Sequence, residues 1–184
     1  MKISLSCTTP VLNLADPVNE KDHALGPATA PVTLLEYGDY ECPDCLNSQP
    51  IVAAVRERFG DRLRFVFRHF PISSIHPHAS LAASVAEAAA DQGKFWEMHE
   101  TLFRHQKQFG EIDVTHLALR LGLEVYRFES SLGRDLGRKR IESDYQSGLR
   151  SGVTGTPTFF INGQRYQGPI DPTALTIAIE SLAG

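Results

Sequence analysis

Residues 32–45 read Val-Thr-Leu-Leu-Glu-Tyr-Gly-Asp-Tyr-Glu-Cys-Pro-Asp-Cys, and the fold class depends on where this stretch changes character. Val32–Tyr37 is almost continuously apolar and β-favouring, the pattern of a strand covered on both faces. Its one carboxylate, Glu36, reads either as a strand-end charge near solvent or as a buried titrating group. Pro43 follows Cys42 directly, and proline is favoured in the first turn of a helix, where its missing N–H is not needed. Beyond it Ile51, Val52, Val55 and Phe59 form one stripe of an amphipathic helix that ends near Gly60, with Pro50 inside and expected to kink it. Leu63, Phe65 and Phe67 then alternate with Arg62, Arg64 and Arg68, broken by Val66, which predicts a second strand. Strand, helix, strand is a βαβ unit of an α/β protein, with Cys42 and Cys45 at its first βα turn.

On the N-terminal side, residues 1–30 carry Pro10, Pro17, Gly26 and Pro27 with no sustained period, and a loosely packed arm is expected over 1–25. The βαβ unit is assigned to 26–75. From 76 to 151 the pattern is helical: alanine-rich Ala79–Ala90; a stripe of Phe95, Trp96, His99, Leu102 and Phe103; a helix capped by Asp113 and ending at Gly122; a longer one marked by Ile141, Tyr145 and Leu149. This reads as a helical insertion. Residues 152–184 return to β with a strand Thr158–Ile161, the hairpin dipeptide Asn162-Gly163 and a partner around Gln164–Tyr166. Asp171-Pro172 then opens a last helix bearing Leu175, Ile179 and Leu182, which makes a ββα unit.

The chain has 184 residues, 42% of them hydrophobic and 22% charged, ordinary composition for one domain that buries roughly 70% of its unfolded surface. A net charge of −4, with no run of like charges, offers no basic face for a phosphate backbone, so nucleic acid is not an expected partner. Neither a bilayer-spanning apolar run nor the apolar core of an export signal is legible, and the expected location is cytoplasmic, without membrane insertion. Three cysteines make no disulfide framework. Cys7 reads as a spare terminal thiol, which leaves Cys42 and Cys45 to be explained by their own surroundings.

A C-x-x-C at a strand-to-helix turn, a helical insertion and a ββα unit entered through Gly155-Thr156-Pro157-Thr158 together resemble the DsbA-like branch of the thioredoxin superfamily, over about residues 25–182. Gly26-Pro27-Ala28, His76-Pro77-His78-Ala79, Gln92-Gly93-Lys94-Phe95-Trp96 and the position of Pro50 add to the likeness. The resemblance implies a thioredoxin fold with a central mixed sheet and an inserted helical subdomain. It implies thiol–disulfide exchange with protein or peptide substrates, with no cofactor and with a redox partner not identified by the sequence. Cys42 would be the exposed nucleophile, Cys45 the buried resolving thiol, Glu36 the buried acid behind them, and Pro157 a cis proline facing the pair. The chemistry is coherent. A helix N-terminus begun by Pro43 favours the thiolate, which is the attacking species, and a spacing of i, i+3 keeps the second sulfur on the same face. Thr156, just before Pro157, is the expected substrate-pairing residue. Asp44, negative and next to the pair, is expected to hold Cys42 in the upper half of the range of about 3.5–7.5 seen for such cysteines. In a reducing cytosol the pair would act as a reductase or isomerase.

Two rival readings concern the same residues. Zinc needs four ligands, and Cys42 with Cys45 supply two, leaving His69, His76 or His78 to complete the set. No second C-x-x-C exists, His76 and His78 are too close in sequence for the usual spacing, and His99 and His105 point apart on a helix. No metal is expected, and all seven histidines read as hydrogen-bonding residues. The other rival is a peptide-binding or holdase module whose cysteines are incidental.

Overall fold

The computed structural model describes residues 13–111 and 113–182. Cys7 lies outside them. β1 (His23–Leu25), β2 (Val32–Gly38), β3 (Leu63–His69), β4 (Thr158–Ile161) and β5 (Gln164–Arg165) form one mixed sheet in the order β1-β3-β2-β4-β5. β2 and β3 are parallel, with Leu34 opposite Phe65 and Glu36 opposite Phe67, while β4 runs antiparallel on the other side of β2. A parallel pair needs a crossover, and α1 (Pro43–Phe59) supplies it.

Alternation along β2 and β3 sends side chains to two separate cores. Val32, Leu34, Phe65 and Phe67 join Val52, Val55 and Phe59 of α1 and Leu175 and Ile179 of α7 (Pro172–Leu182) on one face. Leu35, Tyr37, Val66 and Phe160 meet Phe70 and Tyr145 on the other. Both faces are covered, which is why β2 lacks polar alternation and why Val66 interrupts the pattern of β3. α7 begins where Asp171 Oδ1 accepts the N–H groups of Thr173 and Ala174, both at 2.9 Å.

Between β3 and β4 run α2 (Ala79–Ala90), α3 (Phe95–Arg104), α4 (Val114–Arg120), α5 (Val125–Gly133) and α6 (Arg138–Arg150). The alanines of α2 let α3 and α5 approach it closely. The sequence reading omitted α5. It is short, and its cap is Glu124, which accepts from Tyr126 N and Arg127 N; glutamate is not among the residues that announce a helix start. On α6 the buried face is Asp144, Ser147 and Gly148, with Tyr145 packed partly buried on the second core; of the predicted Ile141, Tyr145 and Leu149, Leu149 alone is exposed.

The N-terminal arm is also corrected. Residues 13–25 are not loose: β1 extends the sheet by pairing with β3, and Asp22 forms a buried ion pair with Arg68 of β3, Nε to Oδ1 at 2.8 Å. Arg68 also donates to the carbonyls of Asp16 and Pro17.

Candidate functional site

Cys42 occupies the N-cap of α1 with extended backbone angles, Pro43 takes the first helical position, and Asp44 lies exposed in the first turn. Cys45 is fully buried; Cys42 retains 6% exposure. The expected contrast in access exists, but Cys42 is more covered than an exposed nucleophile would be. The loop before β4 lies against it: the Cys42 thiol donates to the Thr156 carbonyl at 3.2 Å, and the Thr156–Pro157 peptide bond is cis.

The two sulfurs have opposite acidities. The Cys42 thiol is lowered to about 5, first by a hydrogen bond from the Cys45 thiol, opposed by burial, and then by Thr156 and by the backbone N–H groups of Cys45 and Asp44. Cys45 is raised well above its ordinary value, first by burial, then by giving its proton toward Cys42 and by the negative charges of Glu36 and Cys42. A position near 5 lies at the lower edge of the upper-half range anticipated from Asp44. That residue's contribution comes through its backbone N–H at the helix N-terminus, and its carboxylate points to solvent, where water screens it.

Glu36 is completely buried, which resolves the ambiguity of its sequence reading. Burial, more than anything else, raises it to about 8. Its Oε1 lies 3.2 Å from the Ser48 hydroxyl, itself 2.8 Å from the Cys45 carbonyl, and its Oε2 has no partner among the described residues. Gly38 leaves room here: a Cβ at this position would stand 2.3 Å from the Phe67 ring and 3.3 Å from Glu36 Oε1.

Several residues around the pair escaped the sequence reading. Ser48 and Gln49 stand three and four positions after Cys45 on the same helical face, so helical spacing alone could have flagged them. Gln49 donates to the Cys45 carbonyl at 3.1 Å and meets His99 Nε2 through its Oε1 at 3.2 Å. His99 in turn contacts the Tyr40 hydroxyl through Nδ1 at 3.1 Å, and burial lowers it to about 3, so it is a neutral ring. Asp39, almost fully buried, accepts from Ile72 N and meets His76 Nδ1, each at 2.8 Å, while its own N–H lies 3.4 Å from Cys45 Sγ. Glu41 pairs with His78 at 2.9 Å. No short motif signals the contacts of His99 with Tyr40 and Gln49, of Asp39 with Ile72 and His76, or of Glu41 with His78, because these partners are more than thirty residues apart.

His69, His76 and His78 do not gather around Cys42 and Cys45. Among the described residues, the cluster with metal-ligand chemistry is His23, His69 and Glu87. There the two Nε2 atoms sit 2.6 and 2.8 Å from one oxygen, Glu87 Oε1. Ligands about 2.0–2.1 Å from one tetrahedral zinc stand roughly 3.3 Å apart, so the arrangement is two imidazoles hydrogen-bonded to a shared carboxylate.

Comparison with known proteins agrees with this geometry. A family model described as thioredoxin matches residues 18–181. BdbD from Bacillus subtilis superposes with a TM-score of 0.78 at 24% identity, covering 88% of this chain and 92% of that one. The α-DsbA1 of Wolbachia pipientis gives 0.77 at 21% identity, covering 92% and 94%. A protein of Salinispora tropica named Na(+)/H(+) antiporter NhaA 3 is 44% identical over 180 residues, 96% of this chain but 27% of that protein. One of Herminiimonas arsenicoxydans, named Na(+)/H(+) antiporter NhaA, is 40% identical over 169 residues, 91% and 27%. The chain thus spans about a quarter of the length of these curated relatives. A match through all five strands and the C-x-x-C turn places it: the chain belongs to the thioredoxin family, and its fold is that of the DsbA-like proteins.

Proposed function

We propose that the protein is a thiol–disulfide oxidoreductase acting on protein or peptide disulfides through Cys42 and Cys45. The observation that carries this reading is the split between the sulfurs: a thiol lowered to about 5 with residual exposure, hydrogen-bonded by a fully buried thiol whose acidity moves the other way. The Cys42 thiolate attacks one sulfur of a substrate disulfide. That S–S bond breaks, a mixed disulfide forms on Cys42, and the departing thiolate takes a proton from solvent. Cys45 then loses its proton to the ionised form of Glu36, the minor form below about pH 8, and attacks the Cys42 sulfur, forming the Cys42–Cys45 disulfide and expelling the second substrate thiolate. Two electrons have passed from the dithiol to the substrate.

Thr156 contributes twice. In the dithiol form its carbonyl holds the Cys42 proton; ionisation frees that carbonyl to pair with an extended substrate segment beside Pro157. In a reducing compartment the resting pair is the dithiol, and the enzyme works as a reductase or isomerase. The test is insulin reduction driven by dithiothreitol or glutathione. Wild type should accelerate it and Cys42→Ser should fall to the uncatalysed rate. Wild-type turnover in Cys42→Ser rejects the reading.

The antiporter-named relatives favour one class of partner, a membrane ion transporter carrying the exchanging thiols. Membranes incubated with Cys45→Ser should yield a transporter disulfide-linked to Cys42; adducts drawn only from soluble proteins reject this partner.

A further inference from the structure

Gln106 is a polar residue in an apolar setting, between Leu102 and Phe103 on one side and Phe109 on the other, all buried. It sits in the single turn of 3-10 helix, Gln106–Gln108, that follows α3. A buried amide must find partners, and this one finds them 64 and 66 residues away: its Nε2 donates to the Cys42 carbonyl at 2.9 Å and to the Tyr40 carbonyl at 2.8 Å. Carbonyls only accept, so the nitrogen end of the amide must face them and the orientation has no flipped alternative. One NH2 group has two protons, and both are used.

Those carbonyls flank the turn that delivers Cys42 to the N-cap of α1. Within the turn Cys42 N donates to the Asp39 carbonyl at 3.2 Å and Glu41 N to Asp39 Oδ1 at 2.8 Å. The Cys42 carbonyl also accepts Leu46 N at 3.2 Å, the opening bond of the helix. A small rotation of the 40–42 peptides would change how the Asp44 and Cys45 N–H groups meet the Cys42 sulfur, while Phe103 and Phe109, buried in the same core as Tyr40 and Cys42, flank Gln106 along the chain.

We propose that Gln106 is a positioning residue of the redox turn: by bridging the Tyr40 and Cys42 carbonyls it holds the peptides in the orientation that aims the first N–H groups of α1 at the Cys42 sulfur. The inference rests on the thiol–disulfide reading and adds a residue from the helical segment to that site. A purely structural glutamine would affect stability alone; this one sets the acidity and reactivity of a sulfur that it does not touch.

The test compares wild type with Gln106→Met, which keeps side-chain length and removes the donor, and Gln106→Glu, which places a carboxylate against two carbonyls. The readout is far-UV thiolate absorbance against pH, together with the pH midpoint of Cys42 alkylation. Both variants should raise the Cys42 pKa, Gln106→Met by roughly half to one unit, the size set by one hydrogen bond, and Gln106→Glu by more. In wild type, where nothing is perturbed, the NMR signals of the Gln106 Nε2 protons should shift with the Cys42 titration. That measurement decides the matter should a variant not fold. Folded variants with an unchanged Cys42 pKa, or Nε2 protons indifferent to the titration, overturn the proposal. A wild type with no low-pKa thiol and no exchange activity overturns the thiol–disulfide reading itself, and Gln106 with it.

Discussion

Cys42 and Cys45 are the same residue type three positions apart, and their surroundings separate their chemistry: one sulfur caps α1 and accepts from the Cys45 thiol and the first N–H groups, the other is buried beside a carboxylate. Glu36 makes this visible in stability. Its folded pKa is raised from 4.5 to about 8, so its contribution is fully present below 4.5 and is lost as pH rises through 8, on the order of 3–5 kcal/mol in all. Cys42 has the opposite sign. Lowered from 9 to about 5, it contributes fully above 9 and loses that contribution as pH falls through 5. Between pH 5 and 8 the two slopes oppose each other in the dithiol protein, whereas the disulfide form lacks the Cys42 titration. Above about pH 7, where the buried His99 no longer adds a slope of its own, urea midpoints should therefore be nearly flat with pH for the reduced protein and fall with rising pH for the oxidised one, and Glu36→Gln should remove that fall. Asp44→Asn, which keeps the backbone N–H and deletes an exposed charge, should move the Cys42 pKa by only a few tenths of a unit. A shift of a full unit would show that the carboxylate acts on the sulfur after all.

At the level of elements, α6 shows how a helix docks through what it lacks. A Cβ on Gly148 would stand 2.6 Å from the Phe70 ring and 3.2 Å from Tyr37. In an exposed helix Gly→Ala stabilises by about 1 kcal/mol; here the ring must move, and Gly148→Ala is expected to destabilise by about 1–3 kcal/mol in equilibrium unfolding. The same helix explains one limit of the sequence reading. Its docking face is Asp144, Ser147 and Gly148, with the Tyr37 hydroxyl 2.6 Å from Ser147 Oγ and His69 N donating to Asp144 Oδ2 at 3.1 Å. A search for apolar stripes passes over a polar interface of this kind. β2, α1, β3, α3 and β4 were legible because each buries an apolar pattern of its own period. β1 was not, since three residues are too few to establish alternation, and the strand exists only through its pairing with β3. Cys42 and Cys45 were readable from local spacing and Glu36 only as one of two readings, whereas Gln106 and His99 join the site through contacts across the fold that no short window contains.

Over the whole molecule, the N-terminal segment is held by charge. Asp22 and Arg68 are both 3% exposed, and Arg140 of α6 also reaches Asp22 at 3.2 Å. Asp22→Ala would leave Arg68 buried without its partner and is expected to destabilise by about 3–5 kcal/mol in urea or thermal unfolding. A loss below 1 kcal/mol would mean that the segment does not tie the sheet as described. The redox pair depends on the same long-range assembly, because its N-cap turn and its buried acid, both within residues 36–45, meet a Thr156–Pro157 loop from a distant stretch of chain. The central claim is that this assembly makes Cys42 the attacking sulfur and Cys45 the resolving one. The most direct measurement is the intact mass of Cys45→Ser and Cys42→Ser after exposure to a peptide disulfide. Cys45→Ser should accumulate one peptide linked through Cys42, and Cys42→Ser should carry none on Cys45. Equal labelling of both variants, or an adduct on Cys45 alone, would contradict it.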